Sequence, residues 1–541
     1  MARFTRAAGL AADVALGLPL KAVPYEVRRD VSVPMLDGVT LLADHYRPAG
    51  HDGPLPVVLI RLPYGRAGAF GQLFPAPLAR RGFQVFVQAT RGTFGSGGQF
   101  RPFTTERDDG LATVDWLRKQ PWCDGRVAMV GGSYFGHTQW AVAPYADPPL
   151  TCVSPHITSA NVTDRLFYEH GAPQIHTALS WSAQIGRQER SFPFPDPRVK
   201  GRVQRALWKL PLQAVDVAVA GAPVPFWRDF VAHSDDSFWS QADHDQADLS
   251  RMPPVSTVTG WWDLFLAGNL ADYTALRAAG VEARLVVGPW LHGEPGELRT
   301  VVRTDVAWLN HHLNGGPAPS GPPVRVYLQQ ARRWLSFDSW PPPAVARPLY
   351  LQGDRSLASS PGEAEPSRFT YNPADPTPTV GGPLLQPPGK QADNAPVESR
   401  RDVLVFTGPV LSAPLDVVGP VTATIHVRTE LPHADVFVRL CDVDEKGVSR
   451  NVVDGIRRLT PADSASPDVL AVEVELFPTA YRFRAGHRLR VQVSGGAFPR
   501  YARNMGTDEP FATAVRGRTN RFEIFHDPTH PSHITLPVLA K

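Results

Sequence analysis

The chain of 541 residues is 43% hydrophobic and 20% charged, which at roughly 150 residues per domain allows two to four domains and a large buried core. Its 55 basic and 52 acidic residues leave a net charge of +3 with no dense Lys/Arg run, which argues against nucleic acid or an anionic membrane as partner. Three widely spaced cysteines (Cys123, Cys152 and Cys441) and the lack of CxxC or HExxH spacing exclude a disulfide framework, disfavour a metal site, and suit a reducing, cytoplasmic compartment.

Arg3 and Arg6 precede a fairly apolar stretch over residues 7–20, interrupted by Asp13 and followed by no convincing small-residue cleavage site. An amphipathic N-terminal helix is expected there rather than a signal peptide. No other window holds the ~20 apolar residues of a membrane span. Residues 25–46 read as two strands joined by the turn Leu36-Asp37-Gly38. Short apolar runs follow at Val57-Val58-Leu59-Ile60, Gln84-Val85-Phe86-Val87 and Val127-Ala128-Met129-Val130. Helical segments separate them, notably residues 110–120, where Leu111, Val114 and Leu117 recur at spacings of three. Apolar strands alternating with helices imply a parallel sheet covered on both faces.

Residues 160–250 carry no clear strands and mix proline, helix formers and aromatics such as Trp181, Trp208, Trp227 and Trp239, so an inserted helical cap is expected. Strand–helix alternation resumes at Val255-Ser256-Thr257-Val258 and Arg284-Leu285-Val286-Val287. Pro341-Pro342-Pro343 marks a linker, beyond which strict alternation over residues 421–427 and 489–493 predicts a β-sandwich or jelly roll. The expected organisation is an N-terminal extension over 1–24, an α/β-hydrolase core over 25–159 and 252–340, a cap over 160–251, and a jelly roll over 347–541.

The chemistry centres on Gly131-Gly132-Ser133-Tyr134-Phe135-Gly136, which follows an apolar strand and precedes a segment expected to be helical over residues 137–146. A serine among glycines between a buried strand and a helix is the layout of a nucleophile elbow. A serine hydroxyl needs a base to take its proton and an acid to orient that base. Downstream, Asp263 in Gly260-Trp261-Trp262-Asp263 and His292 in Gly288-Pro289-Trp290-Leu291-His292 each follow a predicted strand, in the chain order such hydrolases use. Taken singly, Ser133 could be a packing turn, Asp263 a helix cap and His292 a loop histidine; three candidates at the same sheet edge in the right order favour catalysis. The oxyanion needs two donors, expected to be the Tyr134 N–H and a group in Arg61-Leu62-Pro63-Tyr64, with the Tyr64 phenol the candidate. The glycine cluster over residues 91–98 lacks the ending of a phosphate loop and reads as structural. Adjacent His311 and His312 point apart on a helix and do not read as a metal pair.

These motifs resemble the CocE/NonD family of acyl hydrolases over nearly the whole chain. Further matches are Arg91-Gly92, Trp122-Cys123-Asp124-Gly125, Tyr371-Asn372-Pro373-Ala374-Asp375-Pro376, Gly486-His487-Arg488 and Pro531-Ser532-His533. The resemblance implies Ser133 as nucleophile, His292 as general base and Asp263 as its orienting acid. It also implies an oxyanion hole from Tyr64 and the Tyr134 N–H, and an acyl pocket to which Trp181 and Phe265 contribute. The family elbow G-x-S-Y-x-G explains Phe135 where a generic hydrolase has glycine. The family often carries an acid before the Thr-Arg-Gly of the glycine loop, and some members use acids there to recognise an amine; this chain has Ala89, and no matching acidic cluster.

The function expected is a serine esterase acting on a small-molecule ester of a hydrophobic or aromatic acid through an acyl-enzyme, with no cofactor or metal, no nucleic acid and no membrane. The sequence permits a homo-oligomer. An amidase or dipeptidyl-peptidase-type hydrolase with the same triad, acyl transfer to an alcohol, and a catalytically silent jelly-roll binding protein stay open at this point.

Overall fold

The computed structural model describes residues 13–18, 23–67, 74–189, 197–233, 237–385, 389–463 and 468–540. Most of the expected N-terminal helix lies outside them; only its residues 13–18 are described, beginning with a helical turn.

A ten-stranded sheet forms the core. Its strands are β1 (Tyr25–Pro34), β2 (Thr40–Pro48), β3 (Leu55–Leu62), β4 (Gln84–Ala89), β5 (Cys123–Gly132), β6 (Val153–His156), β7 (Val255–Trp262), β8 (Ala283–Leu291), β9 (Val324–Leu328) and β10 (Arg333–Phe337). The spatial order is β1-β2-β4-β3-β5-β6-β7-β8-β9-β10. Strands β3 to β9 pair in parallel, and the antiparallel hairpin β1–β2 and strand β10 close the two edges. Successive side chains leave a strand on opposite faces. Val57 and Leu59 enter one apolar cluster while Val58, Ile60 and Leu62 enter another, and Val127 and Met129 divide from Ala128 and Val130 in the same way. Burial on both faces is why these strands are continuous apolar runs.

Register places the chemistry. Ile60 lies opposite Val87, Gly132 opposite His156, and Gly260 opposite Gly288. The segments that leave the C-terminal ends of β3, β5, β7 and β8 therefore emerge on one edge, bringing the loops of residues 64, 133, 263 and 292 together.

Helices α1 (Glu106–Arg118), α2 (Tyr134–Trp140), α3 (Ile175–Ile185), α4 (Pro197–Leu207), α5 (Val215–Ala220), α6 (Pro225–Ala232), α7 (Leu266–Ala278) and α8 (Pro295–Asn314) flank or cap this sheet. Helix α1 begins four residues before the expected start, with Glu106, Asp108 and Asp109 in its first turn, where carboxylates complement the helix dipole. Helix α2 begins immediately after Ser133 and ends at Trp140, not at residue 146. Pro144 supplies the reason: its ring would clash with the Trp140 carbonyl and it has no N–H to bond it. The segment between β6 and β7 is largely helical, as α3 to α6, with a two-residue hairpin, Tyr168–Glu169 against Ala172–Pro173, too short to show as alternation.

The C-terminal region is built of β-sheets of seven and four strands. The alternating stretch 421–427 lies in the strand Leu415–Thr429, whose Val421, Ala423, Ile425 and Val427 point inward against Leu470–Phe483. One buried cluster runs from Val57 and Val127 through Trp261 and Val324 to Val417 and Phe483, so the core sheet and this region share an apolar boundary. The other face of the core sheet packs against cap residues Trp181, Trp227 and Phe230. The fold is a large mixed α/β sheet with a helical insertion and an all-β C-terminal region. Among the described residues no helix is long and apolar enough to cross a membrane.

Candidate active site

The chain turns from β5 into α2 within a single residue. Ser133 has φ 60° and ψ −128°, a left-handed conformation that is unfavourable for any residue with a Cβ and is held here by its surroundings. Its N–H donates to the carbonyls of His156 (3.0 Å) and Ile157 (3.2 Å) at the end of the neighbouring strand. The flanking glycines are needed for contact as much as for conformation. Gly131 has φ 134°, and a Cβ on it would lie 2.6 Å from Cβ of Phe135; one on Gly136 would lie 2.5 Å from Cγ2 of Thr158.

Residues 133, 263 and 292 form a continuous relay. The Ser133 Oγ–H lies 3.1 Å from His292 Nε2, and His292 Nδ1–H donates to Asp263 Oδ2 at 2.8 Å. Asp263 is fully buried, and its other oxygen accepts the Phe265 N–H at 2.8 Å. A carboxylate only accepts hydrogen bonds, so Nδ1 carries the imidazole hydrogen and Nε2 is left to accept from the serine. The loop after His292 is tied to α8: the Gly293 N–H donates to Glu297 Oε2 at 2.6 Å. Glu297 is buried; burial, then the nearby Asp263 charge, holds its carboxyl well above the ordinary range.

Tyr64 and Tyr134 are both buried and line the cavity above Ser133. The Tyr64 oxygen accepts from Trp181 Nε1–H at 2.9 Å, and burial raises the phenol pKa. The Tyr134 N–H stands at the first position of α2, where no helical carbonyl four residues earlier exists to accept it. The Tyr134 side chain points away into a buried network. Its O–H donates to Glu106 Oε1 at 2.7 Å and accepts the Phe103 N–H at 3.1 Å, and Glu106 pairs with fully buried Arg61 at 3.0 Å. Arg61 of the Arg-Leu-Pro-Tyr motif thus holds the helix that carries Glu106, and the Tyr134 ring is fixed from behind.

The cavity is small, about 40 Å³, and nearly all apolar in its walls. Trp181 stacks on Tyr134 with centroids 6.0 Å apart, and Phe265 tilts against the His292 ring at 5.6 Å. Phe103, Phe167, Leu264 and Leu385 complete most of the wall. His137 also lines it, a position that sequence reasoning left unmarked although it lies four residues after Ser133 on the same helix. Glu106 and Glu297 were also unmarked: the partners of Glu106, Arg61 and Tyr134, lie on other elements, and Glu297, although four residues from its partner Gly293, reads from sequence as an ordinary acid in a helix's first turn.

The glycine cluster is structural in form. Gly92 has φ 69°, and a Cβ there would lie 2.1 Å from the Phe100 nitrogen; Arg91 pairs with Asp109 at 2.6 Å and with Asp37 at 2.7 Å. His311 lies 2.9 Å from the Gly316 carbonyl, whereas the His312 ring meets Trp308 edge-on at 4.2 Å. Among the described residues no group of three His, Cys, Asp or Glu side chains is placed to hold a metal ion.

Residues 37–294 match the family model of the X-Pro dipeptidyl-peptidase (S15 family), and residues 318–535 match that of the X-Pro dipeptidyl-peptidase C-terminal non-catalytic domain. Cocaine esterase of Rhodococcus sp. (strain MB1 Bresler) is 32% identical over 96% of this chain and 99% of its own length. Two solved structures are similar in fold and 25% identical. An aminopeptidase from the marine sediment archaeon Thaumarchaeota archaeon has a TM-score of 0.81 over 97% of this chain and 98% of that one. An α-amino acid ester hydrolase has a TM-score of 0.78 over 95% and 97%.

Proposed function

The chain belongs to the CocE/NonD family of X-Pro dipeptidyl-peptidase-like hydrolases, whose members include serine ester hydrolases, and from that premise we propose that it cleaves esters of hydrophobic or aromatic acids through an acyl-enzyme on Ser133. The observation that carries this reading is the Ser133–His292–Asp263 relay opening onto a cavity walled mostly by aromatic and aliphatic side chains. In the proposed reaction His292 Nε2 takes the Ser133 proton as Oγ attacks the ester carbonyl. The oxyanion receives hydrogen bonds from the Tyr64 O–H and the Tyr134 N–H. The tetrahedral intermediate collapses, His292 returns the proton to the leaving alcohol, and the acyl group stays on Oγ. Water then repeats the sequence, giving up its proton to His292, and Ser133 is restored.

None of the described side chains lining the cavity is acidic. A substrate with a free α-ammonium would be buried there with no counter-charge, at a large desolvation cost. That favours a neutral acyl group over an α-amino acyl group, for which the aminopeptidase neighbour would otherwise be a guide.

Ser133→Ala should abolish labelling by a fluorophosphonate and hydrolysis of p-nitrophenyl benzoate together, because the three residues act as one unit. Wild-type turnover that survives in Ser133→Ala would refute the assignment. Matched benzoate ester and benzanilide substrates should show the ester strongly preferred.

A further inference from the structure

Beyond the catalytic groups the acyl cavity has two polar wall residues, Thr177, whose hydroxyl donates to Gln174 Oε1 at 3.3 Å, and His137, for which an apolar pocket has no use. His137 stands one helical turn after Ser133 on α2, and side chains four apart on a helix share a face and lean toward its N-terminus. That direction is the cavity, which His137 lines. The imidazole is 1% exposed, and neither ring nitrogen closes a well-formed hydrogen bond among the described residues, the Ser159 backbone offering one of them a loose contact.

Its neighbours explain why. The Phe103 ring meets it edge-on at 4.7 Å, the Tyr134 ring lies 6.1 Å away, and the His244 ring 5.4 Å away. His244 is itself buried, contacts Tyr145 through Nδ1 at 3.3 Å, and leaves its Nε2 unsatisfied. Burial, then the adjacent His244, holds His137 well below the ordinary histidine range, with the Ser159 backbone pulling weakly the other way. The ring is therefore neutral at pH 7: one nitrogen carries a hydrogen to donate and the other a lone pair to accept.

A buried imidazole with at least one ring nitrogen unpartnered costs stability, and an apolar side chain of similar size would not. Such a group facing a ligand cavity is explained when the ligand completes it. A neutral imidazole matches a hydroxyl, which both donates and accepts, better than it matches a carboxylate or an ammonium. Resting on the reading of Ser133 as nucleophile, we propose that His137 is a specificity-determining residue that selects acyl groups carrying a hydroxyl on their hydrophobic or aromatic frame.

The test compares methyl benzoate with its three ring-hydroxylated isomers, reading kcat/KM from the acid released. Because each enzyme is judged by the ratio of its own substrates, a general loss of activity cancels. Wild type should prefer at least one hydroxylated isomer by about tenfold or more, the size of one well-made buried hydrogen bond. His137→Leu should lower that ratio by about tenfold, leaving only the reactivity difference that the ring hydroxyl itself imposes. His137→Asn, which keeps a donor and an acceptor, should fall between, and it serves if the leucine variant does not fold. A wild type indifferent to the hydroxyl, or a His137→Leu enzyme with the wild-type ratio, would overturn the inference. Fluorophosphonate labelling of wild-type Ser133 separates the two readings. A labelled serine with unselective turnover removes the role of His137 alone, whereas an unlabelled serine removes the acyl-enzyme and His137 with it.

Discussion

Asp263 divides its two oxygens between the His292 ring and the Phe265 N–H, so one carboxylate fixes both the imidazole and the start of the loop leading into α7. Phe265 in turn lies against that imidazole. On the opposite wall the Trp181 indole orients the Tyr64 phenol by donating to its oxygen. The raised pKa of that buried phenol keeps its hydrogen in place through the whole neutral and mildly alkaline range, as an oxyanion donor requires. Tyr64→Phe removes the proposed oxyanion donor and little volume. It should lower kcat roughly 10²–10³-fold with KM nearly unchanged, since the bond forms only as charge develops. Steady-state kinetics on p-nitrophenyl benzoate decide it, and a change confined to KM would assign Tyr64 to ground-state binding instead. Residues 133, 263 and 292 could be singled out from sequence because each sits in a short motif just after an apolar strand. Glu106 could not: it meets Tyr134 across 28 positions, and an acidic residue at a helix start ordinarily means a favourable dipole contact facing solvent.

At the level of elements, the elbow depends on how closely α2 approaches the end of β6. Gly136 allows that approach, since its ideal Cβ position lies 2.5 Å from Thr158 Cγ2 and 3.0 Å from the His156 carbonyl oxygen. That carbonyl also accepts the Ser133 N–H. Gly136→Ala should therefore act twice. Overpacking should destabilise the fold by about 1–3 kcal/mol, and the displaced helix should carry Ser133 Oγ off its 3.1 Å contact with His292. The expected result is a lowered melting temperature together with a kcat loss larger than unfolding at the assay temperature accounts for; a stable variant with full activity would show that the contact relaxes freely. The sequence displayed this strand–turn–helix unit through its glycines, but not its length, because the stop comes from Pro144 four residues beyond the last helical turn. The cavity of about 40 Å³ has room for no more than a few water molecules, while a cavity of about 150 Å³ is the scale that accepts benzene. Trp181 on α3 and Phe265 before α7 are the bulky walls, so the aromatic acyl group of the proposed reaction would have to displace them, which would bring the cap into binding as an element.

The whole molecule is joined by charges as well as by apolar packing. Arg500, 1% exposed, pairs with Glu169 of the cap hairpin at 3.1 Å and with Asp454 of the strand Ser449–Leu459. Asp454 also pairs with Arg439 at 2.7 Å, and Glu169 accepts from the Tyr501 hydroxyl at 2.8 Å and from Gln174 at 2.8 Å. Burial pushes the Asp454 carboxyl up, but Arg439 and Arg500 together bring it below the usual range, so it stays ionised. Backbone bonds continue the seam, from the Ala502 N–H to the Pro173 carbonyl and from the Arg458 N–H to that of His170. Strand alternation announced the β-region from sequence, whereas this seam was illegible: charged residues outside a motif ordinarily read as solvent-facing, and only tertiary contact reveals them as buried. Removing one partner of a buried network strands the others. Arg500→Leu should therefore destabilise by roughly 3–5 kcal/mol, whereas Arg368→Leu, which breaks an exposed pair with Glu523, should cost no more than about 1 kcal/mol. Urea unfolding followed by tryptophan fluorescence gives both midpoints. Arg500→Leu should also lose esterase activity at urea concentrations where wild type keeps it, because Glu169 anchors the cap that carries Trp181. Equal midpoint shifts for the two variants would mean that apolar packing alone holds the cap to the β-region.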